Sequence, residues 1–359
     1  MDRAGIFLES LSLEDTFHFA KLADENGFDS IWMPEITWSD AFSLATAAAM
    51  NTKKVKLATG VVGIYGRSPA LMAMSVAGLD ELSGGRAILG LGTQARPYVE
   101  LWHSAKFERP VTRMKEYVQA TRKILENPFN VTYFKGKIFD IRGFVLTVKP
   151  KSPKIPIYVA AIGPQLQRVA GEVADGVLGY FYSVKYVKEN LMPNLKEGAE
   201  RAGRDISSDK FDVALGLPTL IDDSDERFEM IKPLVAVFTV ATGSSPSYQT
   251  ILGDLGFSGN VEEVSKKMME GDVKGAVKKI PDEMAKQVTL CGTVSEVKQR
   301  IQEYRAAGVN LPVPNPTPPY AYYPLYPTHL PDKLGAGSVD YNGLREQVKR
   351  IILAVSPKG

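Results

Sequence analysis

Residues 55–93 read VKLATGVVGIYGRSPALMAMSVAGLDELSGGRAILGLGT, and the fold is decided here. A short apolar run, Val55–Val61, is followed by a helical pattern at Pro69–Leu82 and a second apolar run at Ala87–Gly92. Apolar strands separated by a helix are the mark of a βαβ unit, because a parallel sheet covered on both faces buries whole strands rather than alternate residues. Ser83-Gly84-Gly85 supplies the stop, since glycine enters the left-handed conformation that ends a helix without a Cβ clash.

The same alternation extends outward in both directions. Upstream lie the strands Gly5–Leu8 and Ser30–Met33, with helical patterns at Leu13–Asn26 and Ala41–Met50. Downstream, a helix at Arg109–Glu126 leads into Val131–Thr147, where Lys135-Gly136 marks an excursion hairpin. Strands five and six are expected at Ile155–Ala160 and Gly176–Phe181, bracketing a helix at Pro164–Ala174. Strand seven is Phe211–Ile221. A helical region at residues 225–286, broken at Gly243-Ser-Ser-Pro and Gly253-Asp-Leu-Gly, reads as an inserted cap. Thr293 with Glu296 three residues on is a capping box opening a helix to Ala307. Strand eight is placed at Asn310–Val313.

Between Pro312 and Pro331 stand eight prolines and four tyrosines, so residues 312–340 are expected as an extended, surface-hugging Pro/Tyr-rich segment. Tyr341–Val355 closes the chain as an amphipathic helix. Eight strands with intervening helices predict an α/β fold, a single (β/α)8 TIM barrel over residues 1–359. A doubly wound sheet is the competitor. The lack of a G-x-G-x-x-G motif after the first strand counts against that competitor as a dinucleotide enzyme.

Composition excludes several functions. With 43 Lys+Arg against 41 Asp+Glu over 359 residues there is no basic footprint for nucleic acid. One cysteine forms no internal disulfide, and three scattered histidines make no zinc-ligand cluster, so no metal is expected. The N-terminus lacks the features of a secretory signal and no apolar run is long enough to span a bilayer, which predicts a cytoplasmic protein with no membrane partner.

In a barrel, chemistry belongs at the C-terminal ends of the strands. Strand two ends in Trp32-Met33-Pro34-Glu35, with Trp38 beyond. Glu35 beside aromatics reads either as a general acid/base raised by desolvation or as a loop carboxylate accepting backbone bonds. Strand three ends at Thr59-Gly60-Val61, where glycine permits close ligand approach or a tight turn. Strand four ends in Gly90-Leu91-Gly92-Thr93-Gln94, which suits a flat ring with polar edges. Strand five ends in Ala160-Ala161-Ile162-Gly163-Pro164-Gln165 at a helix start, where free amides and the helix dipole favour an anion. His103 is either a pocket side chain or a structural one, and Cys291 reads as a small buried hydrophobe.

These runs together resemble the bacterial luciferase-like superfamily, in its coenzyme F420 (deazaflavin)-dependent branch typified by methylenetetrahydromethanopterin reductase. The resemblance is carried by GFDSIWMPE (27–35), NTKKVKLATGVV (51–62), SPALMAMSVAGLDELSGGRAILGLGT (68–93), FERPVTRMKEYV (107–118), IPIYVAAIGPQLQRVAGEVADGVL (155–178) and CGTVSEVKQRI (291–301). It implies a barrel holding one flavin or deazaflavin across the strand ends, and a non-prolyl cis peptide at Gly60-Val61. It also implies that Thr59, Gly60 and Val61 back the ring, that Thr93 and Gln94 flank it, and that Ala161, Ile162, Gly163, Pro164 and Gln165 hold the phosphate.

Related deazaflavin enzymes often carry an Asp-His pair where this chain reads Glu35-Ile36, and an acidic residue where it has Ala95. Glu35 is therefore taken as proton donor or substrate anchor, with His103 as the reserve and Trp38 as a substrate contact. The function expected is hydride transfer between F420 and a small organic substrate. An FMN-dependent monooxygenase and a non-catalytic ligand-binding barrel are the alternatives. Arg67, Arg96 and Arg168 are candidates for the cofactor's polyglutamyl tail, and the family's habits imply a homo-oligomer, dimer or tetramer.

Overall fold

The computed structural model describes residues 3–9, 12–36, 39–207, 210–240, 248–317 and 341–358. Parallel strands form in the order anticipated: β1 (Gly5–Phe7), β2 (Ser30–Met33), β3 (Lys56–Thr59), a two-residue β4 (Val62–Gly63) and β5 (Ala87–Gly92). An antiparallel hairpin, β6 (Val131–Lys135) and β7 (Asp140–Val145), stands apart from the sheet. Then come β8 (Ile157–Ala160), β9 (Gly176–Tyr180), β10 (Asp212–Ile221), β11 (Leu290–Gly292) and β12 (Leu311–Pro316). The hydrogen-bonded row runs β1-β2-β3-β5-β8-β9-β10, with β12 on β10, and β12 also lies against β1. The result is a curled, TIM-barrel-like parallel sheet with helices outside it.

One seam departs from the closed ladder expected. Hydrogen bonds join β12 to β10 but not to β1, and the prolines explain why. Thr317 N–H reaches Thr219 O at 2.9 Å, so the odd-numbered amides of this strand face β10. Successive residues of a strand alternate sides, which turns positions 312, 314 and 316 toward β1, and all three are proline without an N–H. Strand eight thus extends further than Asn310–Val313. Its prolines are buried in the barrel wall rather than hugging a surface, and residues 318–340 of the Pro/Tyr-rich segment lie outside the described residues.

Side chains bridge the seam instead. At the N-terminal end Arg3 donates to Asp29 at 3.0 and 3.2 Å and across the seam to Asp212 on β10 at 2.6 and 2.8 Å. Tyr158 also donates to Asp212. At the C-terminal end Asn315 Nδ2 on β12 donates to Glu9 beyond β1 at 2.9 Å.

The predicted strand Val55–Val61 ends early, at Thr59. The Gly60-Val61 peptide is cis, as the resemblance implies, and the chain rejoins the sheet at β4, paired with β5. Gly84 (φ 70°) and Gly85 (φ 90°) end the helix Pro69–Ser83 as anticipated. The region 225–286 resolves into helices Arg227–Thr239, Tyr248–Leu252, Ser258–Met269, Val273–Val277 and Asp282–Val288, with an apolar core of their own around Val235, Val264 and Met284. The break at Gly253–Phe257 is a π-turn with Gly256 at φ 93°, and the break at residue 243 lies outside the described residues. Thr293 and Glu296 form the capping box reciprocally, at 3.2 and 2.7 Å.

The Arg3 cluster and a second one at Asp175 make acid sensitivity predictable. Burial pushes the Asp29 carboxyl up, but bonding to Arg3 and the charges of Lys56 and Arg3 outweigh it and hold the carboxyl below the usual range. Asp175 behaves alike: burial raises it, while Arg122, Lys154 and the Ile157 amide pull it lower. A depressed carboxyl pKa contributes stability that is complete above its unfolded value, about 3.9, and is lost as pH falls through the folded value. Urea unfolding followed by circular dichroism should therefore show stability dropping below about pH 4. Arg3→Met should cost about 1–3 kcal/mol at neutral pH and flatten that drop.

Candidate active site

At the C-terminal end of β3, Thr59 is fully buried and does structural work. Its hydroxyl accepts from Gly90 N at 2.8 Å and donates to Gly90 O at 2.9 Å, pinning the end of β3 to β5. The backbones come so close that any side chain at position 90 would collide with Thr59 O, and a Cβ at position 92 would lie 2.5 Å from Val61 Cγ2. Glycine is required at both positions. Val61 consequently lies over bare backbone, on top of an inner apolar layer containing Phe7, Trp32, Ile88 and Tyr158. The floor so formed is flat and apolar.

Thr93 and Gln94 rise beside it from the end of β5. Gln94 takes a left-handed backbone (φ 57°), and its side chain folds back against Gly63, where a Cβ would strike it. Gln94 Oε1 is buried without a hydrogen-bond partner. A buried, unpaired carbonyl oxygen costs about 1–3 kcal/mol, so it marks a place where a ligand donor fits.

The loop after β8 is built from behind. Tyr182 O–H donates to Ala161 O, Tyr186 O–H donates to Ile162 O at 2.8 Å, and Gln167 Nε2 donates to Ile162 O at 2.9 Å. Asn194 holds Gln167 from the other side at 2.8 Å. Burial pushes both phenols up, so they stay protonated and remain donors. With its carbonyls engaged, the loop passes through Gly163 into the helix Pro164–Val173, which has no side-chain cap. The amides of Gln165 and Leu166 open the first turn, where helical N–H groups have no intrahelical acceptor. Pro164 at the first position has no N–H to waste. Sequence reading found the loop but not its supports, whose only signal is a pair of tyrosines, Tyr182 and Tyr186, four residues apart.

Glu35 is not a free carboxylate. Arg67 grips both its oxygens, at 2.6 and 3.0 Å, and Ala41 N–H donates to it at 3.1 Å, so the carboxylate also serves the start of the helix Ala41–Asn51. Arg96 pairs with Glu100 and lies over Phe107, and Arg168 pairs with Glu197. His103 is exposed at the rim, with its ring beside Gly66. Cys291 lies in β11, where burial pushes its thiol up to about 12 and keeps it inert. Trp38 lies outside the described residues.

A further polar group was not legible in the sequence. Asn315, 1% exposed, donates from Nδ2 to Glu9 and to Tyr180 Oη, each at 2.9 Å, while its Oδ1 is buried and unpaired. It lies near the C-terminal end of β12, as Gln94 lies just past that of β5, on the opposite side of the strand order. No His/Cys/Asp/Glu cluster able to hold a metal occurs among the described residues. The arrangement therefore offers a flat apolar floor, two unpaired amide oxygens and a backbone anion loop: a place for a polar-edged ring bearing a phosphate.

Several known proteins resemble this chain. A 5,10-methylenetetrahydromethanopterin reductase of Archaeoglobus fulgidus is 32% identical over 311 residues, covering 84% of this chain and 90% of the relative. A putative coenzyme F420-dependent oxidoreductase of Mycobacterium tuberculosis is 31% identical over 307 residues, covering 81% and 87%. The solved structure of the F420-dependent tetrahydromethanopterin reductase of Methanopyrus kandleri superposes with a TM-score of 0.77 at 27% identity, over 88% of this chain and 94% of that one. Residues 3–311 match the luciferase-like monooxygenase family model, and the chain belongs to this bacterial luciferase-like family of enzymes.

Proposed function

We propose that this chain is an F420-dependent oxidoreductase that transfers a hydride between the deazaflavin and a small organic substrate. The observation that carries the reading is the buried, unpaired Gln94 Oε1 beside the Val61 floor, which suits a ring N–H or hydroxyl donor. The names of relatives spanning more than four-fifths of the chain support the same cofactor.

A bound deazaflavin supplies the hydride chemistry from its ring carbon. The chain's part is to bind and orient. Thr59, Gly60 and Val61 support one face of the ring. Thr93 and Gln94 fix its edge, and the loop from Ala161 to Gln165 holds the phosphate through the uncapped helix start. Of the two roles open to Glu35, its grip by Arg67 favours anchoring substrate through the ion pair. His103, exposed at the rim, is retained as the proton carrier. The helices between Arg227 and Val288 form the cap of this reading, and Phe238 among them contacts Tyr180 at 5.2 Å between ring centroids.

FMN has a similar tricyclic ring and a ribityl phosphate, so the family's monooxygenase chemistry is the second reading, held by the same residues. The setting proposed is cytoplasmic, with no nucleic-acid partner. No described helix is long and apolar enough to cross a membrane. The assembly proposed is a homo-oligomer. The helices Ala41–Asn51 and Pro69–Ser83 pack side by side and leave Met50, Leu71, Met74 and Leu82 exposed, an apolar cluster of the kind copies of a chain bury together.

Three outcomes follow from these readings. Titration of the purified protein, followed by fluorescence quenching and absorption, should show F420 bound more tightly than FMN. The reverse order favours the monooxygenase, and binding of neither favours a barrel without this chemistry. Gln94→Leu should weaken F420 binding about tenfold, the value of one buried hydrogen bond to a ligand, while the stability of the free protein stays the same or rises. Leu71→Lys with Met74→Glu should lower the mass measured by light scattering to that of a monomer; an unchanged mass would place the interface elsewhere.

A further inference from the structure

The helices Pro110–Leu125 and Pro164–Val173 leave between them a groove of about 580 Å³. Its lining follows one face of each helix: Val111, Lys115 and Gln119 on the first, Gln165, Arg168 and Glu172 on the second. Seven residues of helix are about 10 Å long, so the groove runs that far from the first turn at Gln165. That turn belongs to the proposed phosphate loop. A chain leaving the phosphate therefore has a channel ahead of it.

The hairpin β6–β7 adds to the groove's lining and is clamped there. Glu116 accepts from the amides of Lys137, Ile138 and Phe139 at 2.7, 2.9 and 3.2 Å, and a side chain at Gly136 would collide with its carboxylate. The clamp brings Lys137 into the lining.

Charge decides what the channel suits. The lining contains four cations, Lys115, Lys137, Arg168 and Arg201, against two carboxylates, Glu116 and Glu172. Glu116 is taken up by the hairpin amides and Glu172 by Lys115. Arg168 and Arg201 share the single carboxylate of Glu197. Lys137 makes no ion pair with the described residues. The groove is cationic beyond what its own carboxylates neutralise.

We infer that this groove takes the polyanionic tail of the cofactor, a run of carboxylates continuing from the phosphate, with Lys137, Arg168 and Arg201 as its contacts. The inference rests on the deazaflavin reading. It also assigns the hairpin a purpose: to carry Lys137 to the groove.

The test is a set of quenching titrations of the whole protein with F420 bearing its polyglutamyl tail and with the same deazaflavin lacking the glutamates, at low and high salt. The tailed form should bind about fivefold more tightly at low salt, and the preference should fade as salt screens the charges. Lys137→Glu with Arg201→Glu, both exposed positions, should abolish the preference and leave the tail-less form unaffected. Glu197→Gln, which releases two arginines, should enlarge it. Equal binding of the two forms by the unaltered protein, or equal weakening of both in the double variant, overturns the groove while leaving the ring reading intact. Failure of both forms to bind at all overturns both readings.

Discussion

The site depends on one close approach. The segment Thr59–Gly63 leaves β3, turns through the cis peptide and returns onto β5, and this is possible only because positions 90 and 92 lack side chains. The Thr59 hydroxyl locks the approach by serving one residue of β5 as both donor and acceptor. Everything the floor offers a ligand follows from that contact: Val61 lies flat over glycine backbone, and Gln94 is folded against Gly63. A methyl group at position 90 would push the two strands apart and tilt the floor.

Stability and chemistry occupy opposite ends of the barrel. At the N-terminal end partly buried charges of opposite sign meet, Arg3 with Asp29 and Asp212, and Arg122 with Asp175. At the C-terminal end two buried amide oxygens, of Gln94 and Asn315, are left without partners. Unpaired polar groups in a folded interior weaken it unless something else satisfies them. Other buried polar atoms, those of Thr121 and Thr132 among them, also lack partners, so it is the position of these two amide oxygens at the strand ends that marks the site.

The βαβ rhythm was readable because buried parallel strands are apolar throughout and glycines punctuate them; residues 55–93 needed little more. The uncapped helix start after β8 was readable for a local reason, a Gly-Pro step after a strand. What escaped were features made by residues far apart in sequence. Nothing near Glu35 announces that Arg67, 32 positions on, will close over it. Nothing in the proline-rich stretch says that Asn315 will meet Glu9 from the other end of the chain. The extent of strand eight was misjudged because proline argues against a strand in general, and only the parity of 312, 314 and 316 shows that the missing amides all fall on the side that has no ladder to make.

That parity governs how the ring closes. The first and last strands meet without a hydrogen-bonded register, so their alignment is set by side chains at the two ends, Arg3 below and Asn315 above, rather than by backbone complementarity. A strand edge exposed during synthesis normally invites pairing with a neighbouring molecule. Here the late-arriving edge presents carbonyls and no donors, so a foreign strand finds half of its bonds unavailable. The barrel closes on its own first strand by packing, and the proline edge that β12 brings to the seam is a poor template for any other chain.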